Sequence, residues 1–259
     1  MSIKSKEEID ILREGGGRVA SILARIVQAA KDNVSTAELD ILAEGLILAA
    51  GGLPIFKGYK IREAKRPYPS SICVSVNDEV VHGIPRQDRI LREGDVVGID
   101  IGMRWPAGNQ GLVTDMALSV GIGEVSSEAE RLIHCTREAL DTGISVVRPG
   151  VRIGDIGHAI ARHLKTAGLG VIRDLAGHGV GYELHEEPLI PNYGKPGAGL
   201  EIREGMVLAI EPMATLGDCR IALDDDEWTF RTRDGSIAAH FEHTVAVTGN
   251  GAEILTVVE

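Results

Sequence analysis

Apolar residues recur at helical spacing within residues 6–31, at Leu12, Val19, Ile22, Leu23, Ile26 and Val27, and predict an amphipathic helix. The box Ser35-Thr36-Ala37-Glu38, a hydroxyl followed by a glutamate one turn on, opens a second helix that Gly51-Gly52 ends. A third helix starts at the similar box Ser127-Glu128-Ala129-Glu130, and a fourth covers 153–167 before Gly168 stops it. Short runs rich in β-branched residues predict strands at 72–76, 95–101, 116–120, 206–210 and 241–247. No stretch has the composition of an interdomain linker.

The order helix, helix, strands occurs twice. VSTAELDILAEGLILAAG (34–51) aligns without gaps on VRIGDIGHAIARHLKTAG (151–168). LREGDVVGID (91–100) aligns on IREGMVLAIE (202–211), and TDMALSV (114–120) on FEHTVAV (241–247). Loops change length between the copies while the elements persist. Such a duplication predicts a single α+β domain over 1–259, made of two halves, 1–121 and 122–259, related by a pseudo-two-fold axis.

Composition narrows the class. The 259 residues are 44% apolar, enough for a full core. The longest apolar runs, such as residues 46–50, are too short for a bilayer, so no membrane partner is expected. A net charge of −11 without a polybasic run disfavours a specific nucleic-acid partner. The start MSIKSKEEID is charged throughout and lacks a secretory pattern. Cys73, Cys135 and Cys219 lie far apart with no CxxC pair. Both features lead to a cytoplasmic expectation, and the second argues against a cysteine-built zinc site.

The candidate chemistry lies in histidines and acids. In AGHGVGYELHEEP (176–188), His178 and His185 would face opposite sides of one unbroken strand, and Gly177, Gly179 and Gly181 oppose a helix. The chain must bend if both rings are to meet one object. The internal alignment puts Asp100 on Glu211 and Asp115 on Glu242. Each acid ends or enters an apolar strand that holds no lysine or arginine. An ionised carboxylate there is costly unless it is paired or binds a metal. Four such acids in related positions, with His178, predict a metal centre. Four carboxylates balance two divalent cations, and oxygen with imidazole donors suits Mn, Fe, Co or Zn. Two ions roughly 3.5–4 Å apart acidify a bridging water and polarise a carbonyl, which is hydrolytic chemistry. Pro106-Ala107-Gly108-Asn109 supplies a turn between Asp100 and Asp115.

VNDEVVHGIP (76–85), the Asp100 and Asp115 pair, GHGVG (177–181), LHEEP (184–188), IEPM (210–213) and FEHTVAVT (241–248) resemble the signature blocks of the bacterial type I methionine aminopeptidases. The resemblance runs from about residue 6 to 258. It implies the pita-bread fold and removal of the initiator methionine from nascent polypeptides, near the ribosome, when the second residue is small. It also implies a monomer. Carried over residue by residue, Asp100 chelates one ion, Asp115 and Glu242 bridge both, and His178 and Glu211 complete the second. His82 and His185 are not ligands in this resemblance; they donate hydrogen bonds to the scissile amide and the developing oxyanion. Glu211 also carries the proton of the attacking water. The methionine pocket is expected from Tyr68, Cys73 and Trp228, with Tyr59, Phe56 and Leu184 as further candidates. Cys73 is not expected to act as a nucleophile, since no partner histidine is implied.

Some positions depart from that pattern. The Asp100–Asp115 interval is longer by an even number of residues, which keeps strand parity. Met116 replaces a small or hydroxyl residue, and His240 stands where glutamine is usual. GYKIREAKRPYPSS (58–71) is longer and rich in cations, so the pocket rim is expected to differ. No zinc-binding extension of the eukaryotic kind is expected. His134, His158, His163 and His240 are left unassigned, and His243 should face away from Glu242 on its strand. Two rivals stay open: a proline-specific aminopeptidase or prolidase, which usually carries a further N-terminal domain, and a non-enzymatic binding module on the same fold.

Overall fold

The structure, a computed structural model, describes residues 2–61 and 64–258. The first half runs α1 (Lys6–Ala29), α2 (Thr36–Ala49), β1 (Leu53–Pro54), β2 (Ile72–Val76), β3 (Glu79–Val81), β4 (Val96–Trp105) and β5 (Leu112–Gly121). The second opens with α3 (Ser127–Ser145), α4 (Ile153–Thr166), β6 (Gly170–Val171), β7 (Ala176–Gly179), β8 (Glu186–Pro191) and β9 (Val207–Ile210). It closes with β10 (Met213–Thr215), β11 (Ile221–Leu223), β12 (Phe230–Thr232), β13 (Ala238–His240), β14 (Glu242–Thr248) and β15 (Gly251–Ile254).

All four predicted helices and all five predicted strands form. At α2 the Ser35 hydroxyl accepts the Glu38 N–H at 3.2 Å while Glu38 accepts the Ser35 N–H at 2.8 Å. The aligned start of α4 keeps only the acidic half of that box: Asp155 accepts the Arg152 N–H at 2.9 Å. At α3 the cap is Ser126 rather than Ser127, because the Ser126 hydroxyl accepts the Ala129 N–H. The two adjacent serines left the sequence ambiguous by one residue.

The main sheet runs β1-β4-β5-β14-β9-β7-β8, with β2 also on β4 and β15 also on β14. Its centre, β4-β5-β14-β9, repeats the duplicated segments outward from the β5–β14 seam. One core packs α1 and α2 against β2 and β4, through Val19, Leu23, Ile47, Ile99 and Ile101. A second packs α3 and α4 against β9 and β14, through Leu132, Ile156, Ile160, Leu208 and Val245. The helix pairs thus cover one face of the sheet. Two small sheets, β13-β10-β6 and β11-β12-β3, complete the fold. The first also packs on α3 and α4 through Val171, Ala214 and Ala239, and His240 of the first with Leu223 and Phe230 of the second help to wall a cleft.

Candidate functional site

Strand register gathers the acids. Asp100 pairs with Cys73 on β2 and with Ala117 on β5, and Ala117 pairs in turn with Glu242 on β14. Residues directly opposite share a face, so Asp100 and Glu242 point the same way. Asp115, two residues before Ala117, joins them. His178 pairs with Ala209 on β9, and Glu211 follows two positions later, so they share that face as well. The extra length between Asp100 and Asp115 is absorbed at 106–111, since Trp105 and Leu112 still pair. Met116 points away, into the core behind the sheet.

The chain bends between the two histidines as their spacing requires. β7 and β8 form a hairpin with a bulge between Gly177 and Gly179, and Gly181 sits at φ +137° in the connection. The rings of His178 and His185 then meet at 4.4 Å between centroids, nearly perpendicular. His178 Nδ1 donates to the Gly179 carbonyl at 3.0 Å, which leaves Nε2 with its lone pair toward the acids. Nε2 lies 3.5 Å from Asp115 Oδ2 and 3.6 Å from Glu211 Oε1. His185 stands at the cleft mouth, where the Tyr59 hydroxyl meets its Nδ1 at 2.6 Å. In the tautomer where Nδ1 accepts from the Tyr59 hydroxyl, Nε2 carries the ring's proton. His82 follows β3 at φ +57°, an uncommon conformation for a side-chain-bearing residue. Its carbonyl accepts from the Thr229 hydroxyl at 3.4 Å.

The acids have no lysine or arginine partner among the described residues; the ion-pair contacts of Asp115 and Glu211 are to histidines alone. Burial pushes the carboxyls of Asp100, Asp115, Glu211 and Glu242 above the ordinary range, and repulsion from neighbouring acids adds to it at Asp100, Glu211 and Glu242. Asp100 Oδ1 is buried with no hydrogen-bond partner among the described residues. One oxygen or nitrogen each from Asp115, His178 and Glu242 fall within 4.8 Å of one another. Buried anions that are mutually repulsive and lack a cationic partner fit a cationic metal, and the donor set is the oxygen and imidazole type that divalent ions take. Thr244 steadies Asp115, taking its N–H at 3.1 Å and approaching its Oδ1 at 2.9 Å.

A cavity of about 350 Å³ opens over the acids. Tyr68, Cys73 and Trp228 line it, as do Tyr59, Phe56 and Leu184. Tyr68 donates to the Gly83 carbonyl at 2.9 Å, and the Trp228 indole to the Arg66 carbonyl at 3.2 Å, so their polar ends are satisfied and apolar faces form the wall. Burial, with Asp100 nearby, pushes the Cys73 thiol well up, which keeps it protonated and unreactive. Burial likewise lowers His82 to about 4, helped by His240 and His178. His185 falls to about 3 although its outer edge meets solvent, because the walls crowd it and His178 and His82 stand close.

Several residues escaped the sequence reading. Ile61, Leu223, Glu227 and Phe230 also line the cavity, from segments without a motif. Lys65 pairs with Glu227 at 3.0 Å, so the cationic 58–71 segment does reach the rim; Arg62 and Glu63 within it lie outside the described residues. His240, left unassigned, is buried beside the acids, with Nε2 3.2 Å from Glu211 Oε2. The available signal was its place two residues before Glu242. His243 faces away and meets the Thr256 hydroxyl at 2.8 Å, as strand parity predicts. His134 and His163 pair with Glu138 on the helical surface.

Comparison with known proteins gives a concordant picture. The profile of metallopeptidase family M24 matches residues 10–249. The chain is 45% identical to a methionine aminopeptidase of Clostridium acetobutylicum over 99% of both chains. It is 42% identical to methionine aminopeptidase 1 of Bacillus subtilis over 98% of both. The crystal structure of a methionine aminopeptidase from Thermotoga maritima superposes with a TM-score of 0.94 at 41% identity, covering 100% of each chain. A prolidase from Pyrococcus horikoshii shares the fold alone, at 21% identity and a TM-score of 0.74, and the chain spans 64% of its length. The pita-bread fold of these structures is the fold of this chain, and with its sequence it belongs to metallopeptidase family M24, among the methionine aminopeptidases.

Proposed function

We propose that this aminopeptidase removes the N-terminal initiator methionine from nascent polypeptides, preferentially when the second residue is small. The observation that carries this reading is the convergence, at the base of one apolar cavity, of four carboxylates and an imidazole that no lysine or arginine neutralises among the described residues. Asp100, Asp115, His178, Glu211 and Glu242 would hold two divalent ions, of Co, Mn, Fe or Zn, with Asp115 and Glu242 shared between them. When bound, such ions supply Lewis acidity toward a carbonyl and acidify a water.

The remaining roles fall to this chain's own groups. Glu211 takes the proton released by the attacking water and delivers it to the leaving amine. His185 offers an Nε2–H to the carbonyl oxygen as negative charge develops there, and Tyr59 fixes the tautomer that makes this possible. His82, which lines the same cavity, hydrogen-bonds the scissile amide. Tyr68, Cys73 and Trp228 enclose the methionine side chain, which a flexible thioether fills well. Both halves supply donors to one centre, so residues 1–121 and 122–259 act as one catalytic domain. We place the protein in the cytoplasm as a monomer that works on chains emerging from the ribosome.

A peptide panel tests the substrate assignment. Release from Met-Ala-Ser, with little from Leu-Ala-Ser and none from Xaa-Pro peptides, is the expected result. Preferential cleavage of Xaa-Pro would move the chain's activity to that of a prolidase, and no cleavage of any peptide by the metal-loaded protein would return it to a binding role.

A further inference from the structure

We infer that His240 is a further donor to the metal centre, a second imidazole placed on the side of Glu211 opposite His178. The inference rests on the reading of the acidic cluster as a metal site and adds a ligand to it.

The position is rigidly presented. His240 ends β13, where it pairs with Met213. Its N–H donates to Ser119 Oγ at 2.9 Å, and Ser119 Oγ donates back to its carbonyl at 2.9 Å. β5, which carries Asp115, therefore fixes the backbone of His240 directly.

The side chain is 4% exposed and lines the same cavity as the five expected ligands. Its Nε2 is buried and has no hydrogen-bond partner among the described residues. That nitrogen nevertheless lies only 3.2 Å from Glu211 Oε2. A buried nitrogen close to a carboxylate but out of line for a hydrogen bond is costly if nothing else satisfies it. Two donors to one ion, each about 2.0–2.2 Å from it, stand about 3 Å apart when they are neighbours in its shell. The His240–Glu211 separation meets that condition.

The opposite side of Glu211 repeats the arrangement. His178 Nε2 lies 3.6 Å from Glu211 Oε1. Each carboxylate oxygen of Glu211 thus faces its own imidazole. Asp100 Oδ1, on the same cavity wall, is the other buried atom of the cluster without a partner. Two cations, one on Asp100 and its neighbour on Glu211 and His240, would satisfy both orphaned atoms together. A hydrogen bond from His240 to Glu211 would leave Asp100 Oδ1 as it is. A second imidazole also shifts the donor set toward Zn, Co and Fe and away from Mg.

The test uses the full chain, stripped of metal and reloaded with two equivalents of Co(II) or Zn(II). X-ray absorption at the metal edge counts imidazoles from their outer-shell scattering. Two imidazoles per two ions are expected in the native protein and one in His240→Gln. Calorimetric titration should show one ion bound about tenfold or more weakly in His240→Gln, with the other unchanged. The same imidazole count in both proteins, or one in the native protein, would overturn the proposal while leaving a metal centre in place. A native chain that binds no stoichiometric metal would instead remove the metal reading itself.

Discussion

At the scale of single residues, the two shared carboxylates carry the most. Asp115 and Glu242 lie on adjacent strands and on the same face, and in the proposed reading each is shared by both ions. Asp115→Ala or Glu242→Ala should therefore lose both ions and all turnover. Two ions per chain by metal analysis in either variant would refute the sharing. His82 touches the substrate in this account and no metal. His82→Ala should keep both ions and lower kcat by about 10²–10³-fold, as removal of one donor to the reacting amide does; an unchanged kcat would end that role. The gathering of the acids was legible because their signals are local: Asp100 and Glu211 close apolar runs, and Asp115 and Glu242 open them. His240 was not, because a histidine near a strand end is usually a core or surface residue and only the fold brings it against Glu211.

At the scale of elements, the site depends on strands being locked to one another rather than on any one strand. Ser119 Oγ ties β5 to β13 through two hydrogen bonds in a buried setting. Ser119→Ala leaves the His240 N–H without that acceptor and should cost about 1–3 kcal/mol in urea unfolding. A change under a few tenths would show that this tie is slack. The 106–111 loop lies beyond the last strand pair, Trp105 with Leu112. Loop residues can be removed in pairs there without altering metal affinity, whereas one residue removed within β5 would turn Asp115 to the helical face. The long elements were readable because they bury a stripe or alternate over many residues: α1 through Val19, Leu23 and Ile26, β4 and β5 through ten residues each. The cleft wall was not. β3, β10, β11, β12 and β13 have three residues each, too few for a period to appear, and their partners are set by contacts between distant segments.

At the scale of the whole molecule, the price of assembling four buried acids appears in the pH dependence of the metal-free protein. Unfolded carboxyls titrate near 4. In the fold, Asp100 and Glu211 are raised to about 8, and Asp115 and Glu242 are raised as well. The folded state then binds more protons than the unfolded chain, so stability is greatest below the unfolded value and falls as pH rises through the folded one. Lowered His82, His185 and His243 act in the opposite sense, but only below about 6.5, where the unfolded chain takes up their protons. Between about pH 7 and 8.5 the acids should dominate. Urea unfolding in the presence of a chelator should show stability declining across that window, less steeply in Glu242→Gln, and saturating metal should remove the decline; a rise with pH in the metal-free protein would contradict the buried anionic cluster. The central claim is that these acids and His178 hold the ions on which turnover depends. Its most direct test is to titrate the metal-stripped protein with Mn, Fe, Co or Zn while counting bound ions and released methionine from Met-Ala-Ser in the same sample. The account predicts no release before metal is added and release that grows with occupancy to a limit of two ions per chain; release by the stripped protein, or full occupancy by every one of these ions without release, would contradict it.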